Sequence, residues 1–347
     1  MRRLVSSSGP RAVQDRGVNQ LPEVLRSPLH VAPMAGGPST PALVIAAARS
    51  AQFASLAAGY RTTEELASEI AEVRTRTDRF GVNLFAPNPV PISDVDYDRY
   101  RASLGLPDLP DKREDDDGWA EKLALLLDDP VSVVSFTFGL PAAQTVADLR
   151  RRGTVTVQTV TNPVDARAAA ERGIDVLVVQ GEAAGGHSAV LDPEQSPVWQ
   201  PLPDLVRAVL AQVDVPVVAA GGIGSADDVE AVRLAGAAAA MVGTLVLRTD
   251  EAGTGTTHRG ALVDPVFDRT ALTRAFTGRP ARALVNRFVR EHEDAPLGYP
   301  ALHHLTRPIR RAAAADGDPH ALHLWAGRSW RAAADGPLAD TLEALLT

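Results

Sequence analysis

Short apolar runs alternate with amphipathic stretches along most of the chain. Residues 29–33, 52–58, 80–84, 131–136, 154–160, 174–180, 215–220 and 237–242 are brief and apolar, several of them rich in β-branched side chains. Continuous apolar runs of this length predict strands buried on both faces, as in a parallel sheet. Helices are predicted between them. Thr40 followed by Pro41 reads as an N-cap with proline in the first turn. Thr62 and Glu65 form a capping box for a helix over 62–77, with Leu66, Ile70 and Val73 on one face. Further helices are predicted over 118–127, 141–151, 163–172 and 202–212, and one capped by Ser225 ends near Leu234. Eight strand–helix units predict an α/β fold, a closed (β/α)8 TIM barrel. A doubly wound open sheet fits less well, because no Gly-x-Gly-x-x-Gly follows the first strand.

The rhythm breaks in three places. Residues 1–27 read as a polar lead-in with a short helix near 21–26. Residues 86–117, rich in proline and aspartate, read as a surface excursion whose acidic run Glu114-Asp115-Asp116-Asp117 is a solvated face. Residues 249–347 exceed what one closing helix needs. Helical patterns around 271–276, 282–290 and 338–346 predict a mostly helical C-terminal extension packed on the barrel's mouth or side. The expected division is a barrel over 1–248 and this extension over 249–347.

Composition narrows the function. The 347 residues are 45% hydrophobic and 22% charged, ordinary for a globular protein, with a formal net charge of −8. That charge, with no basic run among aromatics, argues against a nucleic-acid partner. The absence of cysteine excludes disulfides, thiolate metal ligands and thiol catalysis within these residues. Residues 1–10 lack the apolar core of a signal peptide. The longest apolar stretch, 234–247, falls short of the ~18–20 residues that span a bilayer. The expectation is a cytoplasmic protein without a membrane partner, a monomer or a homodimer.

Candidate chemistry lies at the strand ends. The sixth strand runs into Gly181-Glu182-Ala183-Ala184-Gly185-Gly186-His187, a small-residue loop that lets a flat ligand approach the backbone and ends in a group that titrates near neutrality. After the seventh strand, Gly221-Gly222-Ile223-Gly224-Ser225 opens a helix. After the eighth, Val242-Gly243-Thr244 forms a second glycine turn. In this fold, phosphate sites commonly form at these two turns. Asn83, Gln158 and Gln180 add uncharged amides suited to a neutral heterocycle. Phosphate at one end and amides along a flat face describe flavin mononucleotide, FMN. His292, His303 and His304 read as surface histidines, and no metal site is expected.

With these residues in place, the chain resembles the nitronate monooxygenases, formerly 2-nitropropane dioxygenases, and most of all their bacterial class I branch. The matching stretches are Ala32-Pro33-Met34-Ala35-Gly36-Gly37-Pro38 with Thr40-Pro41, Gly81-Val82-Asn83-Leu84-Phe85, and Gln180 through His187. They continue with Ala220-Gly221-Gly222-Ile223, Val242-Gly243-Thr244, Tyr299-Pro300 and Leu324-Trp325-Ala326-Gly327. The resemblance implies FMN held by Ala32, Pro33, Met34, Asn83, Gln180, Gly185, Gly186, Gly222, Gly243 and Thr244, with His187 as the catalytic histidine. It implies oxidation of alkyl nitronates by O2, the propionate 3-nitronate type included, as nitro-compound detoxification. Thr137 and Tyr299 are candidate substrate contacts. Three positions depart from the family pattern: Thr137 stands where a histidine is expected, and Met241 and Arg328 where glutamines are usual. Two alternatives stay open, an FMN-dependent NAD(P)H:quinone or enoyl reductase and a non-catalytic FMN- or phosphate-binding barrel.

Overall fold

The computed structural model describes residues 20–197 and 199–347. Of the lead-in expected over residues 1–27, residues 1–19 lie outside the described residues, and a single 3-10 turn, Glu23–Leu25, stands where its short helix is expected. Eight parallel strands close a barrel: β1 (Leu29–Val31), β2 (Phe53–Ala57), β3 (Gly81–Ala86), β4 (Val133–Phe138), β5 (Val155–Val160), β6 (Val176–Gln180), β8 (Val217–Ala220) and β9 (Ala239–Val242). β9 returns to β1, with Ala240 opposite Leu29 and Val242 opposite Val31. The missing number, β7 (Gly186–His187), belongs to a second sheet.

Helices follow the strands, and all but the third answer to a helix that the sequence predicts. They are α1 (Pro41–Arg49), α2 (Thr63–Arg74), α3 (Asp94–Ser103), α4 (Trp119–Asp128), α5 (Ala143–Arg151), α6 (Pro163–Glu171), α7 (Leu202–Leu210) and α8 (Ala226–Leu234). The Thr40 side chain accepts from the Leu43 N–H, and the Thr62–Glu65 capping box is complete. Side chains alternate along each strand. Phe53, Val133, Val157, Val178 and Val218 meet inside the barrel. Leu56, Leu84, Phe136, Leu177 and Val179 face the helices.

The segment after β3 is more than a surface excursion. It contains α3, capped by Ser93, and Tyr97 and Tyr100 are buried on one face of it. They pack with Ile92 and Leu109 against Phe276, Phe288 and Leu302 of the C-terminal region. Two tyrosines three apart among charged residues give a weak periodic signal, which the acidic loop beside them masks.

Residues 249–347 carry more helix than strand but are largely turns and loops; their helices are α9 (Thr256–Ala261), α10 (Arg287–Glu291), α11 (Ala301–Asp316) and α12 (Leu338–Ala344). The stretch read as a helix at 271–276 is instead strand β10 (Thr270–Thr273), paired antiparallel with β11 (Ala281–Leu284). A window that short cannot separate the two periods, and tertiary pairing decides it. The longest of these helices, α11, has Pro308 inside it, which hides it from pattern reading. β11 also pairs with β7, placing Ala281 opposite His187. Leu338, Leu342 and Leu345 return to the barrel's outer core. Among the described residues, no helix is long and apolar enough to cross a membrane.

Candidate active site

A cavity of about 550 Å³ sits at the C-terminal ends of the barrel strands, within the size range of small-molecule sites. Its floor is the barrel rim. Its roof comes from the C-terminal region, chiefly Thr277, α11 and residues 322–329. The floor gathers Ala32, Pro33, Met34, Asn83, Thr137, Gln180, Gly185, Gly186, His187, Gly221, Gly222, Val242, Gly243 and Thr244. Two of the predicted site residues are not among those lining it. Gln158 is fully buried in β5, where alternation turns it away from the inward-facing Val157. Its Nε2 donates to the Thr159 carbonyl. Thr159, one residue on, faces the cavity instead; the two-residue period was the signal for it. Tyr299 stands just behind the lining, its ring 5.2 Å from Phe138 and 5.9 Å from His187.

His187 is held from several sides. β7–β11 pairing fixes its backbone, and Gln180 Nε2 donates to its carbonyl at 3.2 Å. Gln180 Oε1 accepts from the Ala189 N–H at 2.8 Å, so this amide staples the loop as well as lining the cavity. The imidazole Nε2 lies 2.9 Å from Thr277 Oγ1. That hydroxyl donates its own hydrogen to the Arg279 carbonyl at 3.3 Å. With the hydroxyl hydrogen spent on that carbonyl, the threonine accepts from the ring, and the Nε2–H tautomer that results leaves the Nδ1 lone pair free; a hydroxyl donating to the ring instead gives the opposite tautomer. Burial, then the Arg279 and Arg310 cations, lower the His187 pKa to about 3. The ring is neutral at physiological pH.

Glycines let floor and roof touch. A Cβ on Gly185 would stand 2.5 Å from the Gly327 nitrogen and 2.6 Å from the Ala326 carbonyl carbon, both backbone atoms. Thr244 Oγ1 accepts from the Gly327 N–H at 2.9 Å. Gly221 and Gly222 turn ahead of α8 with φ of +108° and +77°. The Asp228 carboxylate takes the Gly224 N–H at 2.9 Å. An anion at this turn would thus meet the glycine N–H groups ahead of the helix rather than the helix terminus itself. Two departures from the family pattern find their place. Thr137 Oγ1 accepts from Asn83 Nδ2 at 3.1 Å. Arg328 donates to the Glu182 carboxylate at 3.0 Å, which also binds the buried Arg282 and ties the loop to β11.

The roof carries residues to which the sequence assigns no role in the site. His258, His303, His323 and Trp325 line the cavity. His303 is buried, not a surface residue, and its ring stacks on Tyr60 at 4.2 Å. His304 is largely covered and contacts Asp115 at 3.0 Å. Burial is the first cause that holds His303 and His323 well below the ordinary histidine value. Among the described residues, no aspartate or glutamate lines this cavity, whereas Arg61, Arg307, Arg310 and Arg311 do.

Comparison with known proteins agrees with this geometry. The family model described as nitronate monooxygenase matches residues 21–347. A probable nitronate monooxygenase of Staphylococcus aureus (strain Newman) is 32% identical over 333 residues, covering 92% of this chain and 94% of the relative. A probable nitronate monooxygenase of Bacillus subtilis (strain 168) is 31% identical, covering 88% and 91%. The crystal structure of a nitroalkane oxidase from Streptomyces ansochromogenes superposes with a TM-score of 0.88 at 45% identity, covering 93% of this chain and 95% of that one. FabK from Thermotoga maritima, at 24% identity and a TM-score of 0.73, shares the fold.

Proposed function

The chain belongs to the nitronate monooxygenase family, and on that premise we propose that this oxidoreductase binds FMN and uses O2 to oxidise alkyl nitronates, the propionate 3-nitronate type among them. The observation that carries the reading is His187, a buried imidazole that is neutral at physiological pH and bonded through Nε2 to Thr277, at the edge of a cavity whose floor is built from glycine turns, amides and hydroxyls.

The residues present fit FMN. The absent Cβ of Gly186 leaves open space on the cavity side, where a side chain would stand in place of a ligand. The floor residues 32–34, Asn83, Gln180, Gly185 and Gly186 would line the ring. Gly221, Gly222, Val242, Gly243 and Thr244 would take the phosphate, since turns of this kind offer N–H groups to anions. When bound, FMN supplies the electron acceptor and the route to O2.

The protein's part is to hold the substrate and move a proton. A nitronate is already a carbanion equivalent and needs no base. A neutral nitroalkane must first lose its α-proton, which His187 Nδ1 accepts; the C–H electron pair passes to the nitro group, leaving a nitronate and an imidazolium. Thr277 fixes the ring so that Nδ1 carries the lone pair. The nitronate charge compensates the cation that burial otherwise disfavours. Arg279 and Arg310 favour the anionic product. We infer that the biological role is removal of toxic nitro compounds.

The purified protein should release FMN on denaturation and consume O2 with propionate 3-nitronate in the absence of NAD(P)H. Oxygen or quinone reduction that strictly requires NAD(P)H would replace this reading with that of a reductase.

A further inference from the structure

Arg310 is an unusual cation in this molecule. It is 8% exposed and hydrogen-bonds only neutral groups. Nε donates to Thr306 Oγ1 at 3.2 Å, and Nη2 to the His303 carbonyl at 2.7 Å and to His303 Nδ1 at 3.3 Å. Nη1 has no partner among the described residues, and the residue lines the cavity. The other buried cations differ. Lys122 pairs with Asp117, and Arg282 with Glu182. Arg279 also lacks a counter-ion and leaves Nε without a partner, but it bonds the Asn88 and Val190 carbonyls, lies over the Phe138 ring and does not line the cavity. A buried charge without a counter-ion is costly, and it persists where a ligand supplies the missing charge.

Arg310 does not stand alone. His303, Arg307, Arg310, Arg311 and Ala314 form a single stripe along α11 that faces the cavity. Arg307 and Arg311 are exposed and, among the described residues, neither has an acidic partner. The stripe thus runs from cations in solvent to one buried inside, in a chain whose net charge is −8. The cavity contributes no carboxylate to offset it. Such a path draws anions inward and holds them at its buried end.

We propose that Arg310 is a specificity-determining residue, binding through Nη1 a carboxylate carried by the substrate at a distance from its nitro carbon. This rests on the nitronate reading above and assigns the recognition of the second charge to one residue. Arg307 and Arg311 guide that charge in from solvent. A simple alkyl nitronate, whose charge lies at the nitro group, gains no hydrogen bond from Nη1.

The test compares propionate 3-nitronate with ethyl nitronate on the FMN-loaded wild type and on Arg310→Gln. The readout is the ratio of their kcat/KM values, which cancels any general disturbance of the site. The ratio should fall about 10- to 100-fold in Arg310→Gln, the loss expected for one charge-assisted hydrogen bond, and Arg310→Lys should recover part of it. An unchanged ratio would overturn the assignment, even if both rates drop. A second arm needs no turnover. Succinate, an unreactive dicarboxylate, should raise the thermal midpoint of the wild type and not of Arg310→Gln. If the wild type oxidises neither nitronate, the functional reading fails. The succinate arm then decides Arg310 by itself: a shift lost in the variant supports it, and equal shifts or none overturn it.

Discussion

The floor and the roof of the cavity are built on different principles. Apart from Arg61 on the loop after β2, the floor is uncharged: glycine turns, amides and hydroxyls at the ends of barrel strands. The roof is aromatic and basic, with Trp325, His303, His323 and Arg310. Backbone groups and small residues suit a large flat cofactor, whose recognition needs close approach more than charge. Buried cations and neutral imidazoles suit a small anion that must be selected, oriented and released. His187 stands at the seam, on a floor loop but held by Thr277 of the roof. On the proposed function, this is a division of labour in which one part of the chain holds and the other chooses.

Removing the residue at the seam should have the largest effect. His187→Asn should lower kcat/KM for neutral nitroethane by ~10²–10⁴-fold, the usual worth of a general base, and leave ethyl nitronate far less affected. Steady-state oxygen uptake with both substrates measures the split; equal losses would reduce His187 to a binding role. Next comes the tie between the two layers. Glu182→Ala leaves Arg282 buried beside no carboxylate. Breaking such a pair costs about 3–5 kcal/mol, which denaturant unfolding would register. Gly185→Ala forces a methyl group onto the backbone of Ala326 and Gly327. The expected cost is about 1–3 kcal/mol, with FMN content falling alongside. Unaltered FMN content would mean that the floor holds its cofactor without the roof.

The effect that is smallest over any one pH unit is a pH slope. His30, His187 and His258 have pKa values lowered to about 4, 3 and 4, chiefly by burial. Above the ordinary value of 6.5 both folded and unfolded states are neutral at these rings. Below it the unfolded chain binds protons that the folded chain refuses. Stability should therefore fall by about 1.4 kcal/mol per pH unit for each histidine. The fall for His30 and His258 runs from pH 6.5 to about 4, and for His187 to about 3. Thermal midpoints across that range, compared between wild type and His258→Gln, would show whether the roof supplies its share.

The two layers also differ in how far the sequence reveals them. The barrel and its rim are readable because strand period, capping residues and glycine turns are local signals. Gln158 shows where local reading slips. An amide in a strand suggests a ligand contact, but side-chain alternation gives that face to Thr159. The roof is opaque for a different reason. His303 and Arg310 acquire their role only when α11 folds over the mouth, and Pro308 disguises the helix that carries them. Likewise, Thr270–Thr273 and Ala281–Leu284 become strands only because each, with β7, offers the other an edge to pair with. Nothing local to those residues specifies that partner.

The most direct test of the account is the visible spectrum of the purified FMN-loaded protein, recorded anaerobically before and after mixing with propionate 3-nitronate, with no NAD(P)H present. The account predicts loss of the oxidised flavin absorbance within the mixing experiment and its return when O2 is admitted. A flavin spectrum that nitronate leaves unchanged, but NADH or NADPH bleaches, would contradict it.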